Sequence, residues 1–190
     1  MKTTIRKKAD ASYVYKTTRT PVGELKLIAT DQGLAAILWE NDKPKRVPLS
    51  PLTEDPTHPV LQQTERELSE YFEGNRTGFS VNLAAVGTEF QKRVWWALSE
   101  IPFGETRSYG EIAQRIGQPS AVRAVGAANG KNPISIIVPC HRVIGASGKL
   151  TGFAGGLGIK EQLLSLESRN GTAARKWKPH GKTATTAQLL

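Results

Sequence analysis

At Gly87 the apolar pattern of this chain changes period, which limits the fold to a sheet-bearing half followed by a helical half. Upstream, residues 13–38 read as strands. "ELKLIAT" alternates polar and apolar side chains, "DQG" makes a turn and "LAAILW" resumes, the pattern of a β-hairpin. Residues 41–59 are rich in proline and charge and read as a loop. Val60, Leu61, Thr64, Leu68, Tyr71 and Phe72 recur at helical spacing, and Gly74 closes that helix. "FSVNLAAV" reads as one more strand.

Downstream, each helix start carries its own signature. Thr88 with Gln91 makes a capping box before "FQKRVWWALSEI", and Ser108 with Glu111 makes a second before "YGEIAQRIG". Ser120, just after Pro119, is expected to N-cap "AVRAVGAANG". The short link "GQPS" between the last two helices marks a helix-turn-helix. An apolar run, "PISIIVPCHRVIG", then reaches Cys140. A Gly-rich loop, "GKLTGFAGGLG", leads to a final short helix, "IKEQLLSLES". Residues 1–12 are basic and expected to be loose. From Ser168 onward there is no apolar period and no acidic side chain, so that segment is expected to be a disordered, solubilising extension.

Composition narrows the function. The 190 residues suit one ordinary domain or two small ones sharing an interface, and 38% hydrophobic content supports a packed core. A net charge of +9 favours anionic partners, nucleic acid before acidic membrane surfaces. Cys140 is the only cysteine, which excludes an internal disulfide and Cys-rich zinc sites. His58, His141 and His180 show no ligand spacing, so no metal and no other cofactor is expected. The basic N-terminal stretch lacks the apolar region of a secretory signal, and no apolar run approaches membrane-spanning length. A cytoplasmic protein with a reduced thiol is the expected setting.

A thiol is a weak nucleophile until it ionises, and a histidine oriented by a carboxylate can activate it. Cys140 and His141 are adjacent, and chain neighbours often point apart, so a bridging water is one route for the proton. Glu167 and Glu161 are the candidate carboxylates. Alone, the pair is weak: free cysteines are usually small buried hydrophobes. A Pro-preceded cysteine followed by His-Arg, downstream of a helix-turn-helix, is an unusual combination.

"NPISIIVPCHRVIG" resembles the active-site motif of the O6-alkylguanine-DNA alkyltransferases, whose core is Pro-Cys-His-Arg-Val. The resemblance runs from Thr88 to Glu167, and "TPVGELKLIAT" and "GLAAILW" look like the family's N-terminal domain. It implies an α/β N-terminal domain over residues 1–86, a ribonuclease H-like sheet with helices. It implies a mostly α C-terminal winged helix-turn-helix domain over 87–168, leaving a basic tail, 169–190.

The resemblance also implies roles. Cys140 takes the alkyl group from O6 of guanine and keeps it, so each molecule acts once. His141 deprotonates the thiol through a water, and Glu167 is preferred to Glu161 as the group that orients it. Asn132 braces the turn between recognition helix and active-site strand. Tyr109 donates to the guanine ring as it leaves. Arg123 is the arginine finger that fills the gap left by a flipped nucleotide. Ser120, Ala121, Ala124, Ala127, Ala128 and Gly126 let the recognition helix approach the minor groove, although close helix packing explains small residues equally well. Tyr109, Val143, Phe153, Ala154 and Cys140 line the base pocket. Gln162 departs from the family, which has tryptophan there. The partner implied is double-stranded DNA bearing O6-alkylguanine, with no membrane, bound by a monomer. Alkyl size, O4-alkylthymine and cooperative binding stay open.

Three other classes compete. A nonenzymatic relative that senses alkylated DNA replaces the cysteine, often with tryptophan, and Cys140 argues against it. A Cys-His hydrolase has no use for a basic helix-turn-helix. A plain transcription factor built on residues 108–130 has its neighbour in the C-terminal domain of the bifunctional methylation-response regulators, and this chain is expected to have no room for their Cys-rich sensor domain.

Overall fold

The computed structural model describes residues 12–43 and 46–170. Its sheet has four strands, β1 (Tyr13–Thr20), β2 (Gly23–Thr30), β3 (Gly33–Trp39) and β4 (Leu52–Glu54), in the order β3-β2-β1-β4. The two hairpins are antiparallel, and β4 lies parallel to β1. The expected β2–β3 hairpin forms. Gly33 enters β3 at φ +146°, where a Cβ would sit 2.4 Å from the Asn82 carbonyl oxygen, so both conformation and space demand glycine.

The sequence reading of 41–59 as loop misses β4. Tyr13 to Tyr15 of β1 would otherwise present an open edge, and Leu52 to Glu54 cover it. "FSVNLAAV" is not a regular strand either. It touches β3 only around Leu34, whose N–H donates to Asn82 O (2.8 Å) and whose carbonyl accepts from Ala84 N (2.7 Å). Leu83 and Val86 are exposed, so no second apolar surface holds the segment in full register.

Helix α1 (Pro59–Phe72) packs across the sheet, burying Leu61, Thr64, Leu68 and Tyr71, and ends as expected at Gly74 (φ +80°). The sheet's other face buries a small cluster of Ile28, Ala35 and Ala36. The helical half runs α2 (Glu89–Ser99), β5 (Arg107–Ser108), α3 (Tyr109–Arg115), α4 (Val122–Gly130), a 3-10 turn (Cys140–Arg142), β6 (Val143–Ile144) and α5 (Leu157–Asn170). Both expected capping boxes form. Ser120 does not cap α4. Ala121 holds that position with no side-chain bond, because Ala121 N donates to Gln118 O (2.9 Å) and folds Ser120 into a preceding turn. α5 begins earlier than expected and continues to Asn170, two residues past Ser168. Residues 1–11 and 171–190, where loose segments were expected, lie outside the described residues.

One core spans both halves: Leu25, Ile37, Leu61, Leu98, Ile112, Val125 and Cys140 belong to a single apolar cluster. The edge of β3 is stitched to the helical half, with Ile37 N donating to Pro133 O (2.8 Å). Arg46 adds bonds from its guanidinium to the carbonyls of Asn132 and Ile37. Trp95 Nε1 donates to Ala128 O (2.9 Å) and fixes α2 on α4.

Candidate active site

The cysteine does not lie on a strand. Residues 131–139 form a succession of turns, with a single bridge at Ile134. Pro133 and Pro139 lack N–H donors, which disfavours a ladder here. Asn132 supplies the missing order. Its Nδ2 donates to Val138 O (2.8 Å) and its Oδ1 accepts from Ile134 N (3.0 Å). Within that brace Ile136 sits at φ +74°, a left-handed conformation that a β-branched residue holds only when its surroundings enforce it, at about 1–3 kcal/mol. The chain then enters the 3-10 turn, and Cys140 and His141 start it.

Glu167, on the buried face of α5, is the hub. Its carboxylate accepts from His141 Nε2 (2.8 Å), Arg142 Nε (2.8 Å), Arg142 Nη2 (2.9 Å), Tyr71 Oη (2.8 Å) and Gly104 N (3.1 Å). Glu161, the other candidate carboxylate, is exposed and apart from this network. His141 and Glu167 are both fully buried. Burial alone would raise the Glu167 pKa, but His141 and Arg142 beside it hold the carboxyl well below the usual range. An ionised carboxylate only accepts, so His141 Nε2 carries the hydrogen. Nδ1 is then the basic nitrogen, and it has no partner among the described residues.

Burial pushes the Cys140 thiol up, with Asn132, Lys160, Ser135 and Arg46 pulling the other way. Burial likewise pushes the His141 imidazole down against the pull of Glu167. The directions favour a thiol and a neutral imidazole over a standing ion pair.

Of the other residues expected at the base pocket, Val143 is fully buried and Phe153 and Ala154 are half-buried. Phe153 packs edge-on against Trp39 (centroids 5.5 Å) and faces the His141 ring (6.4 Å), which ties the Gly-rich loop to the site. Tyr109, at the start of α3, is half-buried and its Oη accepts from Thr151 Oγ1 (3.0 Å). Burial raises its pKa, so it stands as a phenol. Cys140 itself is only 3% exposed.

On α4 the small residues divide. Arg123, Ala124 and Ala127 are exposed, with Ala121 half-buried and Ser120 exposed at the helix start. Ala128 is buried and serves packing. Gly126 faces Tyr109, where a Cβ would lie 3.8 Å from the ring.

Sequence reasoning missed four residues of this neighbourhood. In the sequence Arg142 stands out only as part of the Pro-Cys-His-Arg-Val motif. Lys160 is fully buried and donates to Val143 O (2.6 Å) and Thr151 O (2.7 Å), and burial lowers its pKa to about 8. Its signal was readable, because Lys160, Leu163, Leu164 and Glu167 fall on one helical face. Tyr71 and Arg46 gave no such signal, since their partners are 96 and 86 residues away. Among the described residues no group of His, Cys, Asp and Glu is arranged to hold a metal, and no helix is long and apolar enough to cross a membrane.

Two family models match the chain. Residues 13–85 match the ribonuclease-like domain of 6-O-methylguanine DNA methyltransferase, and residues 89–169 match the DNA-binding domain of the same family. A methylated-DNA–protein-cysteine methyltransferase from Methanosarcina acetivorans is 53% identical over 154 residues, 80% of this chain and 97% of that protein. One from Mycolicibacterium paratuberculosis is 50% identical over 162 residues, 84% of this chain and 95% of that protein. Among solved structures, Mycobacterium tuberculosis OGT crystallised in complex with DNA superposes with a TM-score of 0.77 at 49% identity, covering 84% of this chain and 96% of that one.

Proposed function

This chain belongs to the 6-O-methylguanine DNA methyltransferase family, and from that premise we propose how its residues carry out the repair. It binds DNA and transfers the alkyl group of damaged DNA to a cysteine of its own chain. With one cysteine in the sequence, the acceptor is Cys140.

The route begins with His141 Nδ1 taking the Cys140 proton through a water. The thiolate then attacks the alkyl carbon on guanine O6. The S–C bond forms as the C–O6 bond breaks, and the electron pair stays on O6. Tyr109 donates to the ring and neutralises that charge. Glu167 keeps the imidazole in the tautomer that leaves Nδ1 free and stabilises the imidazolium once formed. The product is a thioether, which no group nearby cleaves, so each molecule acts once.

A stacked guanine cannot reach a cysteine that is 3% exposed, so the base leaves the helix to react. Arg123 fills the gap, with Ala124 and Ala127 beside it and Ser120, Ala121 and Gly126 along the same helix. The flipped base enters between Tyr109, Val143, Phe153 and Ala154. Asn132 holds the turn that aims the sulfur. We assign the N-terminal domain to the part of the sequence before Gly87 and the DNA-binding and transfer domain to residues 87–168. The chain works as a cytoplasmic monomer, where the thiol stays reduced.

One observation carries this reading: a buried carboxylate 2.8 Å from the imidazole of the residue that follows the only cysteine, with the other ring nitrogen unpartnered among the described residues. Intact-protein mass spectrometry after incubation with a duplex containing O6-methylguanine tests it. The expected result is one added methyl group per chain, mapped to Cys140 and absent in Cys140→Ala. Binding of the duplex without added mass would instead favour a nonenzymatic damage sensor.

A further inference from the structure

The Tyr71 hydroxyl comes from α1, the helix that covers the sheet, yet it donates to Oε1 of Glu167, the same oxygen that accepts from His141 Nε2. Tyr71 and Glu167 are both fully buried. A tyrosine hydroxyl serving only core packing needs some acceptor, and any backbone carbonyl would do. This one instead reaches the carboxylate bonded to His141, across 96 residues of sequence.

We infer that Tyr71 is a positioning residue for alkyl transfer, which makes the N-terminal sheet-and-helix layer part of the proton relay. This rests on the assignment of Cys140, His141 and Glu167 made above. The groups facing the carboxylate are Tyr71 from α1, His141 and Arg142 from the 3-10 turn, and the Gly104 N–H from the loop before β5. Lys160 on α5 acts on His141 from a greater distance, and Cys140 is its chain neighbour. Of these, Tyr71 and His141 compete for the electron density of one oxygen, together with Arg142 Nη2.

The competition has a direction. Burial and the Glu167 charge both raise the Tyr71 pKa, so the group is a phenol that donates at every working pH. Its hydrogen bond draws density from Oε1 and weakens that oxygen's hold on an imidazolium. Take the hydroxyl away and the carboxylate binds the His141 proton more tightly. His141 then stays protonated to higher pH, where it cannot accept from the thiol. Tyr71 thus keeps the base neutral and fixes the carboxylate's orientation.

The test is Tyr71→Phe, which removes one oxygen and keeps the ring against Phe72, Phe79 and Phe103. Single-turnover methyl transfer from an O6-methylguanine duplex is followed across pH for the full chain. The acid limb of the profile is expected to move up by about one unit. That is about a tenfold slower reaction on the acid side with little change at the high-pH plateau. Leu68→Val, on the same helix and with no polar group to lose, serves as the stability control. It is expected to lower the melting temperature and leave the limb in place. Histidine-selective NMR titration reads His141 directly, with the same upward shift in Tyr71→Phe. An unshifted limb and an unshifted His141 titration in a folded Tyr71→Phe protein would overturn the role. If wild type transfers no methyl group while binding the duplex, the broader assignment fails instead, and the NMR titration still decides whether Tyr71 tunes His141.

Discussion

The Glu167 carboxylate and the outer face of α4 are both polar features, and they are built by opposite rules. At Glu167 a buried charge meets donors from α1, the 103–104 loop and the 3-10 turn. On α4, Arg123 is exposed beside alanines that offer nothing to hold it. Chemistry in a low-dielectric interior requires groups fixed before substrate arrives. Binding a polyanion requires a cation still free to pair. A substitution at the first feature therefore disturbs fold and reaction together, and one at the second disturbs only encounter with DNA.

The largest expected effect tests the first half of that contrast. Glu167→Gln leaves the Arg142 guanidinium buried without its counter-charge, and breaking such a pair costs about 3–5 kcal/mol. At about 2–4 °C per kcal/mol, melting should fall by roughly 10 °C. Methyl transfer should fall by about a hundredfold or more as His141 loses its orientation. The pH dependence has a definite sign. The folded-state pKa of Glu167 lies below its ordinary 4.5, so its stabilisation is present above that value and lost as pH falls below it. Acid titration of melting temperature should show a decline beginning near pH 4.5 in wild type and a shallower one in Glu167→Gln.

How much of this was legible in sequence follows the same division. Local signals held: both capping boxes, the β2–β3 hairpin and the helix closed by Gly74 depend on residues within a few positions of one another. The motif around Cys140 gave the thiol and the histidine, because these too lie close in sequence, while the Asn132 brace is what the resemblance implies. Glu167 is one of two candidate carboxylates read from the residues, and resemblance prefers it to Glu161, although its place on the Lys160 face of α5 is open to periodicity. What failed was long-range or marginal. β4 exists only because β1 needs a neighbour, and no propensity announces that. Ser120 had the right chemistry for an N-cap, and the turn from Gln118 displaced it by one residue. Tyr71 looked like one more apolar position of α1, because nothing local reveals that its hydroxyl meets a carboxylate in the last helix.

The Gly-rich loop lies between the two regimes, carrying Phe153 and Ala154 of the proposed base pocket while leaning on the core. At Gly155 a Cβ would stand 2.9–3.0 Å from the Trp39 ring, and Trp39 is itself pressed by Phe153. Gly155→Ala should therefore cost about 1–3 kcal/mol, read by urea denaturation, and should slow transfer by shifting Phe153. Unchanged stability would show that the loop yields freely and belongs with the DNA-facing surface instead.

Arg123→Ala tests the second half of the contrast. Melting should stay within about 0.5 kcal/mol of wild type, since the side chain is exposed. Duplex affinity should fall about tenfold, and the salt dependence of binding should drop by about one ion if a phosphate is its partner. Reaction of Cys140 with free O6-methylguanine base, which needs no flipping, should be unaffected. A parallel loss with the free base would mean that Arg123 supports the pocket, and the separation between the two features would not hold.

Gly126→Ala is the smallest expected effect, and it decides which side of the division that glycine belongs to. Glycine inside a helix is less stable than alanine by about 0.5–1 kcal/mol, so a fold-neutral replacement should raise melting by a few degrees. The structure leaves room, because the new methyl would rest 3.8 Å from Cδ1 and 3.9 Å from Cε1 of Tyr109, ordinary van der Waals contact. It would point at the tyrosine and so away from the line of Arg123, Ala124 and Ala127. Duplex affinity measured by fluorescence anisotropy should therefore be unchanged while melting rises. If affinity falls as stability rises, the groove approaches α4 more closely than its exposed alanines alone require, and Gly126 is kept for DNA at the expense of the helix.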